Sequence, residues 1–539
     1  MSVTTTLTGG DVLAEALLAN GVETIFGLPG VQLDGAFDAL ARRREAIHLY
    51  HTRHEQATAY MANGYALATG RTGTCLVVPG PGLLNAAAGL CTAYACSAPV
   101  LCVTGQIRSR DIGKGYGRLH EIPQQLEAMA SFTKWAARAA RPDDVASVVE
   151  EAFSQLANGR PAPVAVEIPP DVLEGTAEGP VRIEGATAPP VAPPALEEAV
   201  SLLRRAERPL LVAGGGVLRA AAWEELRELA ERLGAPVLTT EDGLGTIDAD
   251  HPLAYGPLCS RRLLAAADVI VAVGTRFSDP EGGRRRLRPE QRLIRIDASR
   301  EELHRASSPA VAIEADARIA LAALAAGLES VPRAGGWRDV ERIREEARRL
   351  AASVQPLAAY GGEIRRALPD DTVVVAGMTQ IGYWSRYGFP VRRPRSYLNS
   401  GYQGTLGFEY PTGLGAQVGR QDTRVVVLVG DGGFFFNVQE LATAVQHQIP
   451  AIVVVFNDGA FGNVKRIQEQ RFDGRLIGSE LRNPDLLQLA AAFGVRGIRA
   501  ESPEGLGQAL REALDVDGPV LVEVPMPPVP DPWTFTRDF

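Results

Sequence analysis

Residues 425–463, VVVLVGDGGFFFNVQELATAVQHQIPAIVVVFNDGAFGN, restrict the fold more than any other stretch of the chain. The apolar run 425–429 reads as a strand buried on both faces. Gly430-Asp431-Gly432 then lets the backbone turn sharply and leaves one carboxylate at the strand's carboxyl end. Residues 437–446 have helical spacing, with Leu441 and Val445 four apart, and a second apolar run from Pro450 to Phe456 ends in Asn457-Asp458-Gly459. Two parallel strands joined by a helix set Asp431 beside Asn457 and Asp458 at one sheet edge. Hard oxygen donors there, next to a helix start, suit Mg²⁺ or Ca²⁺ holding a diphosphate.

The same grammar recurs along the 539 residues. Residues 8–20 predict an amphipathic helix with Asp11 near its start. Residues 22–26 lead into the turn Gly27-Leu28-Pro29-Gly30 before a second helix, strand-like runs at 48–51, 74–78 and 100–104 alternate with helical segments, and Pro79-Gly80-Pro81-Gly82 is another turn beside a helix start. Such alternation predicts a parallel sheet covered on both faces. A run rich in Pro, Gly, Ala and acids at 169–194 is too poor in apolar periodicity to be core. Runs at 210–213, 237–239, 269–273 and 293–296, with Gly214-Gly215-Gly216 and Gly274-Thr275-Arg276-Phe277 at strand ends, suggest a dinucleotide fold. The glycines do not make GxGxxG, and such turns also serve close packing. A charged helix at 337–352 leads to a last unit. The expected architecture is α/β, three Rossmann-like or doubly wound parallel-sheet domains at 1–170, 195–335 and 355–539, with a linker at 171–194.

Charge and cysteine usage narrow the function. A net charge of −9 and a pI near 5.5 argue against nucleic-acid binding. Cys75, Cys91, Cys96, Cys102 and Cys259 make no CxxC or metal spacing, so they read as buried apolar residues in a reducing compartment. No signal peptide and no apolar run of about 20 residues are seen, so a cytoplasmic protein without a membrane span is expected.

Gly430-Asp431-Gly432, a spacer of residues 433–456 and then Asn457-Asp458 resemble the signature of thiamine diphosphate enzymes, with Asp where the family usually has a second Asn. The runs RHEQATAYMANGYALATG and PGPGLLNAAAGLCTAY resemble the pyrimidine-binding domain of the acetohydroxyacid (acetolactate) synthase branch. The resemblance implies pyrimidine-binding, central and diphosphate-binding domains, with thiamine diphosphate and Mg²⁺ as cofactors. Asp431 and Asp458 would ligate the metal through side chains and Ala460 through its carbonyl. Glu55, otherwise a favourable acid in a first helical turn, would bond an aminopyrimidine nitrogen and favour the imino tautomer that strips the thiazolium proton. Leu406, in SGYQGTLGF, would sit beneath the cofactor and hold its rings in a bent shape. Pro29, Met378, Thr379, Gly430, Gly432, Gly433, Phe461, Gly462 and Asn463 complete the cofactor set. The Met378 side chain cannot donate a hydrogen bond, so its backbone or Thr379 must. Glu409 stands where a small residue is common and has no assigned role.

Other positions keep two readings. His120, in the glycine-rich loop 111–121, is either an acid/base group facing substrate or a structural histidine. Lys134 matches a family lysine near the pocket, or is solvated. Synthases bind FAD in the central domain, but Pro257-Leu258-Cys259 replaces their Met-His-Gly segment, which makes FAD doubtful. Arg284-Arg285-Arg286 with Arg288 could hold CoA phosphates or form a solvated basic loop. The implied activity is carbon–carbon cleavage or ligation on a 2-oxo acid or acyl substrate, as an acetolactate synthase-like carboligase. Simple decarboxylation and 2-hydroxyacyl-CoA cleavage are the alternatives within the family, and a non-catalytic cofactor-binding module is the alternative outside it. Lys465 and Ile467 occupy the region where synthases grip a second substrate with Arg or Trp. Family members place the active site between subunits, which implies a homodimer or homotetramer.

Overall fold

A computed structural model describes residues 7–177, 194–278, 285–328, 336–527, 529, 531 and 533. Eighteen parallel strands among them form three six-stranded sheets. The first holds β1 (Thr24–Gly27), β2 (His48–His51), β3 (Gly73–Val77), β4 (Val100–Gly105), β5 (Trp135–Arg138) and β6 (Val164–Ile168). The second holds β7 (Pro209–Ala213), β8 (Val237–Thr239), β9 (Ala254–Tyr255), β10 (Val269–Val273), β11 (Arg292–Asp297) and β12 (Val311–Glu314). The third holds β13 (Val373–Ala376), β14 (Tyr397–Leu398), β15 (Val425–Gly430), β16 (Ile452–Asn457), β17 (Arg496–Arg499) and β18 (Val520–Pro525). Strand order is 2-1-3-4-6-5 in the first sheet and 14-13-15-16-18-17 in the third, the same winding twice. The second runs 12-11-10-7-8-9, the dinucleotide-fold order.

Side chains on successive strand residues point to opposite faces, and the cores follow that alternation. In the third sheet Val373, Val375, Val425, Val427 and Val429 join a core with Phe26, Cys75, Val77 and Tyr60 of the first unit. The intervening Val374, Ala376, Val426 and Leu428 join a core with Leu210, Val212 and Ile270 of the second. Each such Val or Leu contributes about 1.5–3 kcal/mol on leaving water. The first and second sheets each keep one face for a core without third-sheet residues.

Two glycine-bearing helices weld the first and third units. On Glu55–Thr69 and Glu409–Gly419, a Cβ at Gly64 would strike the Thr412 carbonyl and one at Gly415 the Met61 carbonyl. In the central unit, Gly214 and Gly216 pack directly on Gly274, so these glycines serve close packing.

Local differences from the sequence reading have simple causes. The helix expected at 437–446 is Glu440–Gln446, because the Asn437 side chain is committed to other segments. The helix expected at 337–352 is Val340–Ser353, while Trp337 donates its indole N–H to the Pro209 carbonyl. Most of the linker, residues 178–193, and Arg284 lie outside the described residues. The five cysteines are free thiols. Among the described residues no helix is long and apolar enough to cross a membrane.

Candidate active site

Strand order in the third sheet reverses between β13 and β15, and such a reversal opens a crevice at the strands' carboxyl ends. Gly377-Met378-Thr379 leaves β13 and Gly430-Asp431-Gly432-Gly433 leaves β15 at that edge. The loops touch, since a Cβ at Gly430 would lie 3.2 Å from Thr379 Oγ1. Asp431 opens the short helix Asp431–Phe434. The neighbouring strand pairs Phe456 with Gly430, which brings the Asp458 carboxyl up against that of Asp431. Burial first, and then the Asp431 carboxylate, push the Asp458 carboxyl up to about 6. Asn483 donates to Asp431 Oδ2 at 2.5 Å and to Asn457 Oδ1 at 3.0 Å. It lies outside the sequence motif and had no signal of its own. The Ala460 N–H donates to Asp458 Oδ1 at 3.2 Å. Phe461 lies over Gly432, and Gly462, the first residue of helix Gly462–Arg471, lies against Asp458 Oδ2; Asn463 follows on that helix and accepts from Arg466 at 2.5 Å.

Two acids pressed together in a half-buried crevice fit a hard divalent cation. Among the described residues no group of three or more His, Cys, Asp or Glu could hold one alone, so the remaining ligands must be other oxygens. Asp431, Asp458 and the Ala460 carbonyl are the groups that would hold Mg²⁺, with a diphosphate supplying the rest.

The first sheet has the corresponding reversal between β1 and β3. Pro29 is exposed in the loop after β1, and Gly80 has φ 58° in the turn before helix Pro81–Ala95. Glu55 is the first residue of its helix; its Oε2 accepts from Asn85 at 3.0 Å, and its Oε1 would lie 3.4 Å from a Cβ at Gly82. His120, at φ 66°, has Nδ1 3.1 Å from Gln32 Oε1, and its carbonyl crowds Gly80. Glu55, Pro29 and His120 therefore gather at one sheet edge.

Hydrogen bonds stitch this edge to the third unit. The Arg53 N–H donates to both Glu440 oxygens at 3.1–3.2 Å, and Gln56 Nε2 donates to the Phe436 carbonyl at 3.1 Å and to Asn437 Oδ1 at 2.9 Å. Asn437 Nδ2 donates to the Gly407 carbonyl at 2.6 Å, and Thr405 and Thr92 share a hydroxyl contact at 3.0 Å. Half-buried Leu406 sits inside that seam.

Positions with two readings acquire partners. The Lys134 ammonium donates to the carbonyls of Gln155, Asn158 and Arg160, closing the end of helix Val145–Ala157. The Met378 N–H is taken by Glu409 Oε1 at 3.0 Å, which leaves Thr379 as the donor from that loop. Lys465 pairs with Glu480 at 2.9 Å. Arg285 donates to the Ser278 carbonyl and lies over Phe277, and Arg288 pairs with Glu290. From the proline-rich tail, Asp531 pairs with Arg466 and Trp533 stacks on Tyr383. A cavity of about 2270 Å³ lies between the units, lined by Arg160, Gly216, Arg219, Arg276 and Asp297 among others; Glu55, Asp431 and Asp458 do not line it.

Twin sheets with crevices at their reversals, one carrying paired acids at a helix start, define a coenzyme-binding α/β enzyme. The chain belongs to the thiamine pyrophosphate enzyme family, in its acetolactate synthase-like branch: family models match the N-terminal TPP binding domain at residues 7–131, the central domain at 196–324 and the C-terminal TPP binding domain at 376–524. It is 37% identical over 533 residues to a probable 2-ketoarginine decarboxylase of Pseudomonas aeruginosa, covering 96% of this chain and 94% of that protein. A probable acetolactate synthase large subunit of Methanocaldococcus jannaschii is 33% identical over 553 residues, with 96% and 92% covered. The acetolactate synthase isozyme 1 large subunit of Escherichia coli is 30% identical over 534 residues, with 96% and 93% covered.

Proposed function

We propose that this chain cleaves the bond between the carboxylate and carbonyl carbons of a 2-oxo acid and passes the remaining acyl unit to a second carbonyl, with thiamine diphosphate and Mg²⁺ bound. The observation that carries the reading is the Asp431–Asp458 contact at the carboxyl ends of adjacent strands. When bound, thiamine diphosphate supplies a nucleophilic thiazolium carbon that also accepts the electron pair left by departing carbon dioxide.

In this reading Glu55 holds a proton at the aminopyrimidine ring nitrogen, Leu406 supports the bent coenzyme, and Thr379 with the amides of 430–433 cradles the diphosphate. Asp431, Asp458 and Ala460 hold the cation. Pro29, Met378, Phe461, Gly462 and Asn463 line the coenzyme. His120 is the group placed to move a proton near substrate. Pro257 and Leu258 stand on the wall of the large cavity where synthases carry Met-His-Gly, and it is that replacement which leaves FAD out of this reading. The working domain limits are 1–170, 195–335 and 355–539.

Two copies would complete each site. Support comes from exposed apolar side chains beside both edges: Val31, Leu84 and Leu119 next to the Glu55 edge, and Phe436, Val464 and Ile477 on the third unit. A cytoplasmic location belongs to the same reading.

A second reading, decarboxylation without ligation, is favoured by the Lys465–Glu480 pair, which occupies the cation in the region that would grip an acceptor, and by the likeness to the decarboxylase relative. Purified protein mixed with pyruvate and a panel of other 2-oxo acids, coenzyme and Mg²⁺ separates them. Acetolactate or acetoin supports ligation; the free aldehyde alone removes it.

A further inference from the structure

Glu409 lies where three segments of the cradle meet. It opens helix Glu409–Gly419, directly after the loop carrying Leu406, and is 1% exposed. Oε1 accepts the Met378 N–H at 3.0 Å, while Oε2 is buried with no hydrogen-bond partner. A Cβ at Gly377 would stand 2.7 Å from its Cγ, and one at Gly433 would stand 3.3 Å from both of its oxygens. The carboxyl therefore fills the gap between the loops that leave β13 and β15. A glycine at 409 would empty that gap and strand the Met378 amide.

We propose that Glu409 is a positioning residue for the diphosphate cradle: a carboxyl wedge that sets the spacing of the Met378 and Gly433 loops by accepting the Met378 N–H. The inference rests on the thiamine diphosphate reading above and adds a residue that reading leaves idle. Two facts favour the protonated form of the group below about pH 7. Burial pushes its carboxyl up to about 7, opposed only by the backbone N–H groups of Met378, Glu409 and Gly407. The titratable groups that sense it are the Tyr60 hydroxyl on helix Glu55–Thr69 and the Tyr383 hydroxyl on helix Gln380–Gly388, each pushed upward chiefly by its own burial. Among the described residues no charged side chain acts on it. Ionised, Glu409 would set a bare negative charge under a site for another anion.

Calorimetric titration of thiamine diphosphate, at saturating Mg²⁺, into the full-length wild type, Glu409→Gln and Glu409→Leu tests this. Glutamine keeps the volume and the acceptor; leucine keeps only the volume. At about pH 6 the glutamine variant should bind within about twofold of wild type and the leucine variant about tenfold more weakly. Above about pH 8 the wild type should weaken about tenfold while the glutamine variant stays level. Leucine binding like wild type, or wild-type and glutamine curves that superimpose at every pH, overturns the inference alone. A wild type that binds no coenzyme overturns the thiamine diphosphate reading and the inference with it. Should the leucine variant not fold, the wild-type and glutamine pH curves still decide.

Discussion

Asp431 and Asp458, at the ends of neighbouring parallel strands, press two carboxyls together, and after burial the Asp431 charge helps push the Asp458 carboxyl up to about 6. Two carboxylates so close repel each other unless one takes a proton or a cation sits between them. Asp458→Asn should therefore raise the stability of the protein in EDTA by about 1 kcal/mol, a figure kept small by the partial solvent access of Asp458. The same change should shrink the gain in melting temperature on adding Mg²⁺ with thiamine diphosphate. Scanning fluorimetry in both conditions reads the two signs, and a loss in both would mean that the pair is not repulsive.

Glu55→Gln should slow deuterium exchange at the thiazolium carbon of bound coenzyme by about 100-fold or more, the weight of one proton-transfer group. Nuclear magnetic resonance of quenched samples measures it. Exchange at the wild-type rate would strip Glu55 of its role.

Gly64→Ala should cost about 3 kcal/mol or more, since the new methyl has only the Thr412 carbonyl to displace. Gly362→Ala, at a site whose nearest atoms beyond its own helix backbone are the guanidinium nitrogens of Arg366 at 3.8–3.9 Å, is the control and should be neutral or slightly stabilising. Urea midpoints compare them.

Lys134→Met should lower stability by about 1–3 kcal/mol, leaving three carbonyls without their donor. Its kcat/KM should match wild type, whereas a pocket lysine would lose activity first.

Glu409 makes stability depend on pH with a definite sign. Its folded carboxyl titrates at about 7, above the ordinary 4.5, so the protein is favoured below about pH 4.5 and loses that advantage as pH rises through 7. Relative to Glu409→Gln, the wild type should lose about 3 kcal/mol over that interval. Denaturant melts at several pH values trace the difference.

The sheets were readable because parallel strands buried on both faces are written as unbroken apolar runs, such as 425–429, closed by Gly430, and 452–456, closed by Asn457. The meeting of Asp431 and Asp458 was readable for the same reason: two strand ends and a fixed spacer determine which acids meet. Long-range side-chain partners were not. Asn483 reaches Asp431 from a segment with no motif, Lys134 closes a helix 21 residues away in the chain, and Glu409 looked like an idle substitution until its neighbour Met378 was placed. The start of helix Glu440–Gln446 moved because Asn437 bonds to Gln56, 381 positions distant, which no local pattern records.

The third sheet is covered by its own helices, but neither core stops there: the one holding the odd-numbered valines of β13 and β15 runs on into the first unit, and the one holding the residues between them runs on into the second. A fragment beginning near residue 355 would keep those helices yet uncover the far side of both cores at once, and should be less stable than the whole chain. Exchanging this module with that of a relative would demand matched repacking on both sides, so the outer two units can drift in sequence more freely than the one they enclose.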